Sequence, residues 1–230
     1  MRWLFTIAAL VVTTAAHATN PLVVFPERPE RLRAVHYAKL DKKACLAELE
    51  ARGIDAIPGP PVPTIDAPVR LPAKVLGMRY EFAHPTAHVE KKGPVLDCRL
   101  LLALGDLAII AKDRGFVAIR YNSIHRGRWA QSPGQRHAAG VAIDIVSLQK
   151  RDGSELVIKR DFHGHGIGSK TCGKDAPKPQ EPEAKELRQL VCAVDRAKSF
   201  NLLLTPHYNR DHDNHFHFEV RRHIRWFLTQ

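Results

Sequence analysis

Residues 215–220 read His-Phe-His-Phe-Glu-Val, an alternation suited to a strand with one buried face. Successive strand side chains point to opposite faces, so Phe216, Phe218 and Val220 turn to a core and His215, His217 and Glu219 turn away from it. A chain carrying this segment has to build a sheet with one covered face, and its other face sets two imidazoles and a carboxylate side by side. Residues 141–148 (VAIDIVSL) form a second strand, whose apolar run is interrupted by Asp144. Burying an unpaired carboxylate costs on the order of several kcal/mol, so Asp144 needs a partner: an ordinary salt bridge in the core, or a metal ion. Gly140 and Ala142 are small and let something approach the backbone between His137 and Asp144. His137 and Asp144, with one histidine from residues 212–217, make three protein ligands. Three ligands with an open fourth position are the pattern of a catalytic zinc site rather than a closed structural one.

The 230 residues, 44% hydrophobic and 26% charged, suffice for one domain of ordinary size and exclude wholesale disorder, collagen and coiled coil. Leu100 to Lys112 is apolar on nearly every side and predicts a central helix closed by Gly115, with a strand starting at Phe116–Ile119. The turn Arg151-Asp152-Gly153-Ser154 leads to a third strand over Leu156–Lys159. A Gly-, Lys- and Pro-rich loop over 161–182, a helix over Glu183–Lys198, strands over 200–204 and 215–220 and a short basic tail over 221–230 follow. This order predicts an α+β fold: a small antiparallel sheet with helices on one face and the zinc cleft on the other. Ahead of it, residues 19–36 read as an extended lead-in and Lys43–Arg52 as a short helix ended by Gly53. Residues 74–91 are weakly strand-like. Six prolines in 57–72 point to a surface-hugging loop, disfavouring helix and central strand alike. The expected division is therefore 1–18, a Pro-rich extension over 19–94 that wraps the core, and one domain over 95–230.

Residues 1–18 have a charged Arg2, an apolar stretch from Leu4 to Val12 and a small-x-small Ala16-His17-Ala18, the pattern of a secretory signal peptide. Cys45, Cys98, Cys172 and Cys192 contain no C-x-x-C pair, and an even count in an exported chain predicts two disulfides. Of the three pairings, Cys45–Cys98 and Cys172–Cys192 join nearest neighbours around the two most irregular stretches. The formal net charge of +11 suits an anionic envelope polymer or a peripheral anionic surface. Nucleic acid would also suit the charge, but no nucleic-acid-binding motif is present and export argues against it. Beyond residue 18 no apolar run approaches the roughly 20 residues of a membrane helix. Of the 13 histidines, His84, His88, His125, His163, His165, His207 and His223 read as surface or hydrogen-bonded side chains, with His163-Gly164-His165 a flexible lip.

H-x-x-G-x-A-x-D followed far downstream by H-x-H resembles the LAS metallopeptidases, the group of lysostaphin, the D-Ala-D-Ala peptidases and the sonic hedgehog fold. A closer resemblance is to the bacterial extensin-like C-terminal domain family, carried by Asp97-Cys98-Arg99-Leu100, by Arg136-His137-Ala138 through Asp144, and by Pro206-His207-Tyr208-Asn209 through His217. The resemblance implies that His137, Asp144 and His217 bind one Zn2+ per chain, that His215 is the catalytic base and that His212 assists it. The family usually has Ser where Gln135 stands and often a Ser-Cys-Arg segment near Ala130-Gln131-Ser132, and these departures leave the substrate-facing arginine open among Arg126, Arg128 and Arg136.

The implied activity is zinc-dependent hydrolysis of amide bonds in peptidoglycan stem peptides or crosslinks, endopeptidase rather than carboxypeptidase, by a monomer in the periplasm or cell envelope of a bacterium. The alternative is a non-catalytic, zinc-containing envelope protein that binds peptidoglycan.

Overall fold

A computed structural model describes residues 20–84, 93–126 and 136–230; the expected signal peptide, Arg128, His88 and Gln135 lie outside them. The helices are α1 (Arg33–Lys39), α2 (Lys42–Ala51), α3 (Cys98–Lys112), α4 (Ile158–Asp161) and α5 (Pro182–Ala197). The strands are β1 (Ile57–Pro58), β2 (Pro68–Arg70), β3 (Lys74–Val75), β4 (Met78–Phe82), β5 (Val95–Asp97), β6 (Phe116–Ser123), β7 (Ala142–Lys150), β8 (Glu155–Val157), β9 (Leu202–Leu204), β10 (Phe216–Glu219) and β11 (Leu228–Thr229). Eight of them form one open sheet in the order β11-β9-β10-β7-β6-β4-β3, with β8 beside β7. The architecture is α+β, as expected. The sheet is mixed rather than purely antiparallel, because β4 runs parallel to β6 and β11 parallel to β9. The β4–β6 pairing follows from α3, which lies between them in the chain and returns it to the same end of the sheet.

The core is the face of this sheet that carries Ile143, Ile145, Phe216 and Phe218, and α3 and α5 bring their apolar residues to the same cluster. Ile143 and Ile145 pair into the core two residues apart, but Leu148 shares their face only because the register with β6 shifts. The bulge opposite Arg120 and Tyr121 inserts Val146 and resets the alternation. Asp144, on the near side of the bulge, keeps the opposite face. α3 is central as expected: every residue from Cys98 to Ala108 is buried.

The Asp97-Cys98-Arg99 segment explains how the N-terminal third is attached. Asp97 caps α3 by accepting from the Arg99 backbone N–H at 3.0 Å, and takes the Arg99 guanidinium on both oxygens at 2.9 Å. It also accepts from Ala67 N–H, while its own N–H donates to Gly140 O at 2.9 Å. Gly140 has φ +64°, and a Cβ there would lie 2.9 Å from the Asp97 nitrogen, so a side chain at this position has no room. Cys98 is bonded to Cys45 of α2, and Cys172 to Cys192 of α5, the expected pairing. Deeper in α3, the buried Asp106 accepts from Arg52 at 2.5 Å, Arg33 at 2.9 Å, Tyr37 at 2.7 Å and Ser199 at 2.6 Å. One carboxylate thus ties α1, α2 and the end of α5 to α3. The two disulfides fit an oxidising, exported environment, and among the described residues no helix is long and apolar enough to cross a membrane.

Four expectations are corrected. The lead-in over 19–36 ends in a helix, α1, because Ala34, Val35, Tyr37 and Ala38 bury and Tyr37 reaches Asp106; seven residues are too few for periodicity to reveal. The Pro-rich 57–72 segment contains β1 and β2, and β2 is the middle strand of a second sheet, β1-β2-β5. Its Pro68 is the first strand residue, where a missing N–H is tolerated. The third strand stops at Val157, and residues 158–161 turn into α4 with Asp161 accepting from the Val157 N–H at 2.7 Å. The C-terminal tail returns as β11 at the sheet edge, with Phe227 and Leu228 buried. The main sheet also takes β3 and β4 from before residue 95.

Asp106→Ala should destabilise the chain by about 3–5 kcal/mol, because it strands Arg52 and the Tyr37 and Ser199 hydroxyls in the interior. Urea unfolding measures this; a loss under about 1 kcal/mol would show the cluster to be solvated and dispensable.

Candidate functional site

The antiparallel pairing of β7 and β10 sets His217 directly opposite Asp144, and the pairing of β6 and β7 sets Ser123 on the other side of the same carboxylate. Asp144 and His217 therefore stand next to each other on the face away from the core. From below, stacked Phe216 and Phe218, with Phe162 and Phe200 edge-on and tilted against them, hold β10 in place. His137 comes from the turn that precedes β7, which Gly140 closes by donating its N–H to His137 O at 3.1 Å.

The donor atoms converge. His137 Nε2 is 3.1 Å from Asp144 Oδ1 and 3.3 Å from His217 Nδ1, and His217 Nδ1 is 2.9 Å from Asp144 Oδ1. All three residues are buried. The outer nitrogen of each ring has its own partner: His137 Nδ1 lies 2.8 Å from Ile124 O, and His217 Nε2 lies 3.2 Å from Glu219 Oε2. N–H groups at those outer nitrogens leave both inner nitrogens as lone pairs facing one another. Two such lone pairs and a carboxylate oxygen require a cation or a proton among them.

The set fits a metal ion. Ligand bonds of about 2.0–2.1 Å in a tetrahedron put donors about 3.3 Å apart, and nitrogen-rich sets with one carboxylate suit zinc. Ile124 O and Glu219 supply the outer contacts that orient metal-binding imidazoles. Without a metal, a proton takes this place. Burial works against a charged His217 ring, but Asp144 and Glu219 outweigh it and push its pKa up to about 9. Burial likewise opposes ionisation of Asp144, but the bonds from His137 and His217 hold it well below the usual carboxylate range. A metal ion would therefore compete with a proton for one position.

His215 lies at the rim, with Nδ1 2.7 Å from Asn214 Oδ1 and Nε2 3.5 Å from Asp144 Oδ1. His212 precedes it on a short helical turn capped by Asn209; its ring centroid is 5.0 Å from that of His215. Burial lowers the pKa of both rings, helped by His217 in each case, and His212 falls to about 4. Both are thus neutral near pH 7. Of the candidate arginines, Arg126 is half exposed and its guanidinium bonds to Asp144 Oδ2, while Arg136 Nε lies 2.9 Å from Glu219 Oε1. The third, Arg128, is outside the described residues.

Glu219 is a side chain of the candidate site that sequence reasoning placed on the right face without giving it a role. It is 1% exposed and takes His217 on one oxygen and Arg136 and Arg221 on the other. The signal was its period: two residues past His217 on a strand is the same face. A second histidine group is structural. His207 is fully buried; its Nε2 accepts from the His165 N–H at 3.0 Å and its Nδ1 lies 3.0 Å from Thr171 Oγ1. It pins the 163–171 loop, so the expected flexible lip is fastened at its base.

Residues 118–229 match the family described as extensin-like protein C-terminus. This stretch includes His137, Asp144, His212, His215, His217 and Glu219. No curated protein and no solved structure matches the chain.

Burial, with Arg188 and His165 nearby, pulls the His207 pKa down from 6.5 to about 4. A ring that resists protonation when folded stabilises fully above its unfolded pKa, and that contribution is lost as pH falls from 6.5 toward 4. The contribution is on the order of 3 kcal/mol. His207→Gln should therefore be less stable than wild type at neutral pH and lose less stability on acidification to about pH 4.5. Urea unfolding of chelator-treated protein gives both curves; parallel curves would show that His207 does not titrate in this way.

Proposed function

We propose that the chain is a metal-dependent hydrolase that cleaves amide bonds in peptidoglycan, with crosslinks and stem peptides as its substrate class. The observation that carries this reading is the convergence of two oriented imidazole lone pairs and a buried carboxylate oxygen within 2.9–3.3 Å of one another. The likeness of the H-x-x-G-x-A-x-D and H-x-H motifs to those of LAS-type peptidases supports the same reading. His137, Asp144 and His217 would hold the ion, zinc by the chemistry of the donor set. When bound, zinc supplies Lewis acidity to a scissile carbonyl and to an attacking water.

The chain's own residues supply the rest. His215 is neutral, and its Nε2 faces the cluster while Asn214 holds the other nitrogen, so it accepts the proton of the attacking water and returns one to the leaving amine. His212, its ring tilted against that of His215, assists. Glu219 orients His217, and Arg136 and Arg221 neutralise Glu219 from behind. Arg126, at the mouth beside Asp144, is placed to meet a substrate carboxylate or a developing oxyanion. A basic exported chain is suited to a polymer rich in carboxylates.

Metal content and digestion of purified peptidoglycan, read by mass spectrometry, test the reading. Asp144→Ala and His217→Ala should be metal-poor and inactive. His215→Ala should keep its metal and cleave about 10²–10⁴-fold more slowly, with His212→Ala between it and wild type. Metal without cleavage of any stem peptide would favour the non-catalytic binder; full metal occupancy in Asp144→Ala would remove this ligand set.

Glu219→Gln should weaken metal affinity by about 10–100-fold, because it removes the anion that orients His217. Competition with a chelator measures this, and unchanged affinity would make Glu219 only a fold-stabilising partner of the two arginines.

A further inference from the structure

A cleft of about 490 Å3 lies between α5, the loop that follows Thr171 and the end of α3. It shares no residue with the His/Asp cluster. Its walls carry Arg114, Lys178, Lys185, Arg188 and Arg196, and no carboxylate. Other cations nearby are matched, Lys150 by Glu186 at 2.6 Å and Lys170 by Asp175 at 3.4 Å. The five in the cleft have no ion-pair partner among the described residues. Helical spacing aligns Lys185, Arg188, Cys192 and Arg196 along one side of α5, and the Cys172–Cys192 disulfide fastens the opposite wall to it.

Arg188 is the decisive side chain. It is 4% exposed. Its Nη1 donates to Pro177 O at 2.8 Å; Nη2 lies 3.2 Å from His207 Nε2 and 3.4 Å from His163 O; the guanidinium sits 5.1 Å over the Phe162 ring. These contacts involve neutral groups, and its buried Nε has no hydrogen-bond partner. Burial lowers its pKa, with only Glu181 opposing. A buried guanidinium with no carboxylate in contact is expensive, and an anion seated in the cleft relieves it.

We infer that this cleft is a second binding site that takes a phosphate group. A phosphate offers up to about two negative charges and three acceptor oxygens, enough for several of these donors at once, where a single carboxylate offers one charge. The volume falls in the range of small-ligand sites and leaves room for whatever carries the phosphate.

The test is calorimetric titration of the full chain, freed of metal by a chelator, with inorganic phosphate against sodium chloride at matched ionic strength. Phosphate should bind saturably and raise Tm, and chloride should not. Charge reversal on the exposed side of α5, Lys185→Glu with Arg196→Glu, should weaken phosphate at least about tenfold. Asp144→Ala should leave phosphate affinity unchanged. Arg188→Met should abolish binding; should it fail to fold, the double variant carries the test. The inference is overturned by the absence of saturation beyond the chloride control, by unchanged affinity in the double variant, or by loss of binding in Asp144→Ala, which would put the phosphate at the His/Asp cluster. Binding to phosphatidylglycerol vesicles without binding of inorganic phosphate would also overturn it, in favour of a membrane-facing patch.

Discussion

The pairing of His217 with Asp144 across β7 and β10 is the constraint on which the site rests. A carboxylate within an apolar strand is tolerable only where the neighbouring strand presents something to neutralise it. The antiparallel register does this, and a slip by one residue would put Phe216 or Phe218 beside Asp144 and turn the histidine into the core. The apolar anchors under β10 and the polar cluster above it therefore enforce each other. Core packing selects the register, and the register assembles the site.

The N-terminal third serves the same end from a distance. Asp97 receives the cap of α3, the Arg99 clamp and the Ala67 amide, and its own amide holds Gly140, three residues from His137. Asp106 gathers α1, α2 and Ser199 around the same helix. These carboxylates are buried but each is met by arginine or several donors. That is the condition under which a buried charge specifies structure rather than destabilising it.

Charge is distributed unevenly among the buried groups. Asp144 and Glu219 bring two carboxylates under the open face, and the arginines beside them, Arg126, Arg136 and Arg221, are engaged with those carboxylates. On the other flank, the direct contacts of the buried Arg188 guanidinium are all with neutral groups. In the first region the carboxylates are already met by arginines, and a cation would be held by the lone pairs of His137 and His217 as well as by Asp144; in the second, positive charge lies without a carboxylate in contact.

Much of this was legible in residue order. The alternation of 215–220 showed which face carries the histidines, Asp144 stood out as a charge in an apolar run, α3 was apolar enough to be central, and cysteine position gave both disulfides. These features depend on local periodicity or on the rarity of a residue type in its surroundings. What the sequence could not show depends on contacts between distant segments. The strands within the proline-rich stretch exist because β5 and the Asp97 side chain accept them, and α1 exists because Tyr37 finds Asp106. Glu219 gains its role only when β10 brings it to His217 and Arg136 and Arg221 close on it. Nothing in residue order marks Arg188 within the expected 183–198 helix; only the packing of the 163–179 loop over it, through His207 and Pro177, buries its charge against neutral contacts.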